Sequence, residues 1–184
     1  AYISAQDGDR TTLTVGYSVP VASGVHGQVV SFCDGSDVTV SLFADGSAEP
    51  KYTVSVPGGT KDSSGKYTTT YDIPEVAPGT YTMQVSKKNH VTREYTVTVS
   101  GDAKTQNAEI WLLGDVNGDG VKDMTDVVQI CRRFNGKTSV FDNGDAETRA
   151  YRLKVADIYA DNSIDTTDIN QILRYYNGKS SVLG

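Results

Sequence analysis

The chain has 184 residues, 38% of them hydrophobic, and a formal net charge of −6. That length allows one or two domains, and the acidic balance argues against nucleic acid as a partner. No apolar run is long enough to span a membrane. The opening AYISAQDGDR lacks the basic-then-apolar pattern of an export signal, which is expected upstream in a longer parent chain.

Residues 1–113 read as β. The stretches TTLTVGY, HGQVVSF, VTVSLFA, YTVSV, YTTTYDI, TYTMQVS, REYTVTVS and AEIWLL are short, rich in Thr, Val and Tyr, and partly alternating. Alternation places one face of a strand on a core and the other in water. Turn clusters separate them at Asp34-Gly35-Ser36, Asp45-Gly46-Ser47, Pro57–Gly59 and Ala77–Thr80. About seven such strands predict a β-sandwich. Cys33 and Cys131 are too few for a disulfide framework and are read as unpaired thiols.

From Gly114 the pattern changes to Asp-rich loops followed by helical spacing, which predicts a second, small all-α domain over 114–184. No Pro- or Ser-rich linker separates the halves, so Trp111 and its apolar neighbours are expected near a fixed junction. The second half is a duplication. DVNGDGVKDMTDVVQICRRFNGK (115–137) aligns without gaps on DIYADNSIDTTDINQILRYYNGK (157–179), offset by 42.

Carboxylates fall at positions 1, 5, 9 and 12 of each loop: Asp115, Asp119, Asp123 and Asp126, then Asp157, Asp161, Asp165 and Asp168. Calcium takes six to eight oxygens around one point, with a main-chain carbonyl from position 7 and a sharp turn at 6. Asn117 adds an oxygen at position 3, Val121 and Ser163 occupy position 7, and Gly120 and Asn162 make the turns. Two calcium sites are therefore expected, and the crowded charge requires a cation. Tyr159 stands opposite Asn117, so the second site is expected to be weaker. Val127, Ile130 and Phe134, and likewise Ile169, Ile172 and Tyr176, recur at helical spacing and are read as core. Asn135-Gly136 and Asn177-Gly178 are helix stops. GDAETRAYRLKVA reads as a connecting helix with Asp145 as its N-cap.

Asp rather than Glu at position 12, no entering helix before the first loop, and duplication over some seventy residues make 114–183 resemble a dockerin. The stretch VAPGTYTMQVSKKNHVTREYTVTV resembles the last hairpin of immunoglobulin-like modules, and the β-half is similar to the X-module that precedes some dockerins. The resemblance implies calcium-dependent, non-catalytic binding to a cohesin of a scaffoldin or cell-surface anchor. It thereby implies a place in an extracellular, polysaccharide-degrading cellulosome, secreted or cell-surface associated. It also implies that Met124, Thr125, Cys131 and Arg132, with Thr166, Thr167, Leu173 and Arg174, face the partner. Met124, Val128 and Cys131 share one helical face, whereas Thr166, Asn170 and Leu173 are more polar, which predicts one dominant docking orientation. Lys122, at position 8, departs from the apolar residue usual there.

An enzyme finds little support, since His26 and His90 are isolated and the carboxylates are taken up by the loops. A carbohydrate-binding β-module with a calcium-stabilised appendage is the alternative, with Trp111 and the tyrosines as stacking platforms.

Overall fold

A computed structural model describes residues 4–5, 11–12, 23–33 and 35–183. The β-half is built from β1 (Ser4–Ala5), β2 (Thr11–Thr12), β3 (Gly24–Ser31), β4 (Val38–Ala44), β5 (Tyr52–Val56), β6 (Thr60–Lys61), β7 (Tyr67–Pro74), β8 (Gly79–Lys87), β9 (Arg93–Val99), β10 (Lys104–Thr105) and β11 (Ala108–Glu109). Short β1 and β2 pair with each other. One sheet runs β10-β3-β7-β6, with β11 also along β3; the other runs β5-β4-β8-β9. All neighbours are antiparallel except β10 and β11, which lie parallel to β3.

Alternation decides which face is buried. Val38, Val40 and Leu42 of β4, Tyr81, Met83 and Val85 of β8, and Val97 and Val99 of β9 point inward. They meet Val25 and Val29 of β3 and Tyr71 and Ile73 of β7 in one core, so the two sheets pack face to face. The intervening Thr39, Ser41, Thr82 and Gln84 lie on the outer side. The Tyr71 hydroxyl donates to the Gln106 carbonyl at 2.6 Å, satisfying the polar end of a buried ring.

The expected first strand appears only as Thr11–Thr12; the rest of TTLTVGY, and Asp34 of the first turn cluster, lie outside the described residues. AEIWLL is a strand only at Ala108–Glu109. Beyond it Ile110 still donates to Val30, but Trp111 and Leu112 turn away into a second core.

The C-terminal half holds α1 (Met124–Phe134), a 3-10 turn at Val140–Asp142, α2 (Ala146–Ala156) and α3 (Thr166–Tyr176). Asp123 and Asp165 cap α1 and α3, each with a reciprocal aspartate three residues on, and Asp145 caps α2. Gly136 and Gly178, at φ 63° and 62°, close α1 and α3 with bonds from Lys137 to Arg132 and Lys179 to Arg174. Among the described residues no helix is long and apolar enough to cross a membrane.

The second core joins Val127 and Ile130 of α1, Tyr151 and Val155 of α2 and Ile172 of α3 to Trp111, Leu112 and Phe32 of the β-half. Phe134 and Tyr176 do not belong to it: they are 61% and 58% exposed. They end their helices, past the reach of the core. Phe141 and Leu183, folded back by the segments after α1 and α3, are buried in it instead.

Candidate metal and docking site

Each loop is organised by two aspartates that face inward. In the first, Asp115 accepts from the N–H groups of Gly118 and Asp119 with one oxygen and of Gly120 with the other, at 2.8–3.1 Å. Asp126 accepts from Val116, Asn117 and Asp123, tying the start of the loop to the helix that ends it. The second loop repeats the scheme: Asp157 accepts from Asp161 and Asn162, and Asp168 from Ile158, Tyr159 and Asp165. Asp119 and Asp161 turn onto the amides of Val121 and Ser163, and Asp123 and Asp165 onto those of Thr125 and Thr167. Asn117 is braced against Asp119 through both ends of its amide. Tyr159 instead is 49% exposed, its hydroxyl 3.5 Å from the Gln171 amide.

Asp115 and Asp126 are fully buried and Asp168 nearly so. Burial pushes the Asp115 carboxyl up to about 6 and that of Asp126 up to about 7, against the pull of the amides that bond them. Half-buried Asp165 is held below the usual range by the Thr167 N–H. The ion pairs among the described residues are Lys66–Glu109 and Lys154–Glu94, neither of which touches a loop. Among those residues no three His, Cys, Asp or Glu side chains form a ready-made metal cluster; the carboxylates are turned onto the loop amides. The donor set is nevertheless all oxygen and mostly carboxylate, with Asp115, Asp126 and Asp168 desolvated, which fits a hard divalent cation.

Of the side chains expected to face a partner, Met124 and Val128 are 42% and 49% exposed. Thr125, Thr166 and Thr167 are also exposed. Cys131 and Leu173 lean on the second core and are half-buried. Arg132 and Arg174 are exposed but engaged, each donating through Nε at 2.6 Å to a carbonyl six residues on, Thr138 and Ser180. Gln129 and Gln171 accept from the Val140 and Val182 amides in the same way. These residues hold down the chain after each helix. Their identity in both copies was visible in the sequence, but what they anchor lies beyond the aligned segment. Both cysteines are free thiols.

Residues 113–177, which carry both loops, match the family described as dockerin type I domain. This segment is a dockerin domain. No curated protein matches the chain. Among solved structures, two type II cohesin–X-dockerin complexes from Acetivibrio cellulolyticus resemble it, one described as an N-terminal and the other as a C-terminal interface mutant. They are 19% and 20% identical, cover 84% of this chain and 95% of their own, and give TM-scores of 0.36.

The dockerin is seated on the β-half. The Tyr151 hydroxyl of α2 donates to the Val91 carbonyl at 2.7 Å and accepts from the Trp111 N–H at 2.9 Å. The Arg93 guanidinium lies 4.7–5.8 Å from the rings of Tyr95, Trp111 and Tyr151 and donates to Thr148 of α2.

Proposed function

We propose that the chain is a non-catalytic docking module whose dockerin domain binds a cohesin in a calcium-dependent manner, assembling or anchoring an extracellular polysaccharide-degrading complex. The observation that carries this reading is the duplicated loop–helix unit matched to the dockerin family, in which Asp115, Asp126 and Asp168 are buried and, among the described residues, no loop carboxylate is in an ion pair with lysine or arginine. Calcium would be held by Asp115, Asn117, Asp119, Asp123, Asp126 and the Val121 carbonyl in one loop, and by Asp157, Asp161, Asp165, Asp168 and the Ser163 carbonyl in the other. Bound there, it would offset the mutual repulsion of the carboxylates and fix the start of each helix. With Tyr159 supplying no amide oxygen, the second site is the weaker.

The same reading divides the chain at residue 113 into an immunoglobulin-like sandwich of the X-module kind and the dockerin. It assigns the partner surface to the exposed side of α1 and α3 around Met124, Thr125, Val128, Thr166 and Thr167. The carbohydrate-binding alternative loses its best platform, because Trp111 is 5% exposed and packed at 5.4 Å against Tyr151. Pull-down of a panel of cohesins by the full chain, with and without chelator, tests the reading. Capture by at least one cohesin that disappears in chelator is expected; no capture by any, or capture indifferent to chelator, would overturn it.

A further inference from the structure

The two loops share a backbone path but not a neighbour. Gly118 and Gly120 have φ of 77° and 86°; the matching Ala160 and Asn162 have 55° and 63°. The left-handed turn therefore does not in itself require glycine, since the second copy makes it with alanine and asparagine. What differs is the wall behind it. A Cβ at Gly118 would lie 2.8 Å from the Trp111 indole, and one at Gly120 would run into the Phe32 ring. Phe32, just past β3, and Trp111, just past β11, are 2% and 5% exposed. Residues 159–163 of the second loop face solvent. Glycine thus stands where the β-half presses on the loop, and ordinary residues stand where nothing does.

Those pressed positions also aim a candidate ligand. The N–H groups of Gly118, Asp119 and Gly120 hold Asp115. We infer that Phe32 and Trp111 are positioning residues for the first cation site, so that the β-half sets the calcium affinity of loop 115–126 and leaves loop 157–168 untouched. This rests on the calcium reading above. Linkage makes the effect reciprocal: an ion that fixes the 118–120 turn also tightens the seat of Phe32 and Trp111.

The test is calorimetric calcium titration of the full chain, with Trp111 emission followed in parallel, since Trp111 is the single tryptophan. Phe32→Ala is expected to weaken one class of site about tenfold and leave the other within about twofold. Gly120→Ala is expected to weaken the same class, and the pair of substitutions to cost less than the sum of the two. Equal weakening of both classes, or of neither, overturns the inference. Should Phe32→Ala fail to fold, the unaltered chain decides. Trp111 emission that shifts as one class fills supports the inference; emission that tracks both classes equally, or neither, overturns it. Absence of calcium binding at either loop would sink the calcium reading and this inference together. That result is distinct from two normal sites indifferent to Phe32.

Discussion

Tyr151→Phe isolates one atom of the junction between the halves. The ring would keep its contact with Trp111 and its place under Arg93, at 5.4 and 4.7 Å. What is lost is a hydroxyl that both donates and accepts across the interface. The Trp111 N–H would be left buried without a partner, which costs about 1–3 kcal/mol. The Val91 carbonyl sits in half-buried surroundings, where water can replace part of the bond, so its loss adds about 1 kcal/mol. Together the substitution is expected to destabilise the dockerin half by about 2–4 kcal/mol. Urea unfolding of the calcium-saturated chain, followed by helical circular dichroism, measures it, provided the slope with denaturant is unchanged. The β-sheet transition should move much less. A shift below about 0.5 kcal/mol, the range of ordinary surface substitutions, would refute the idea that this hydroxyl joins the halves.

Chelation, or Asp115→Ala with Asp126→Ala, is expected to remove most of the dockerin helical signal or, for the double variant, one class of calcium site, with the β-half still folded; unchanged circular dichroism in excess chelator would contradict this. Titration of the unaltered chain should show two classes of site, and Tyr159→Asn should tighten the weaker; two indistinguishable sites would count against the ligand assignment. Met124→Asp with Val128→Asp should weaken cohesin capture by more than about 2 kcal/mol, roughly thirtyfold, and far more than Thr166→Asp with Asn170→Asp. Equal losses from the two pairs would rule out a single dominant orientation.

Where sequence reading worked, the signal was local and periodic. The longer strands of the β-half between Gly24 and Val99 follow from alternation, because a half-buried sheet enforces a period of two. The start of α2 follows from Asp145, whose carboxylate accepts from the Thr148 main-chain amide, whereas Asp123 and Asp165, read only as metal ligands, also cap α1 and α3. Where it failed, the deciding partner was remote. Phe134 continues the apolar stripe of α1 as faithfully as Ile130, yet only Ile130 is enclosed; the difference is made by Phe141, which no spacing links to α1. The strands Thr60–Lys61 and Lys104–Thr105 are two residues long, too short to carry a pattern. Phe32 looked like the end of a strand, and nothing in its neighbourhood pointed to a loop some ninety residues on.

The duplication itself sorts the residues by what they face. Positions kept in both copies serve the unit: the inward aspartates, the caps, and the Gln and Arg that hold the following chain. Several positions that diverged face something outside it. Gly118 and Gly120 meet the β-half, while Ala160 and Asn162 meet solvent. Lys122 donates to the Leu183 carbonyl at 3.0 Å and lies 4.1 Å from the Tyr175 ring, whereas its counterpart Ile164 packs on the second core. The partners of these two residues diverged with them. Tyr175 meets Lys122, and its counterpart Arg133 lines a surface hollow with Ile164 and lies 5.2 Å from the Phe141 ring. An aromatic ring suits an ammonium, and the apolar stem of an arginine suits an isoleucine. The Arg133–Tyr175 difference therefore has an internal cause and need not report on a docking partner. Met124 and Val128 against Thr166 and Asn170 have no such internal explanation: all four are exposed. Under the docking function proposed above, that pair of differences is among those left on the surface for a partner to read.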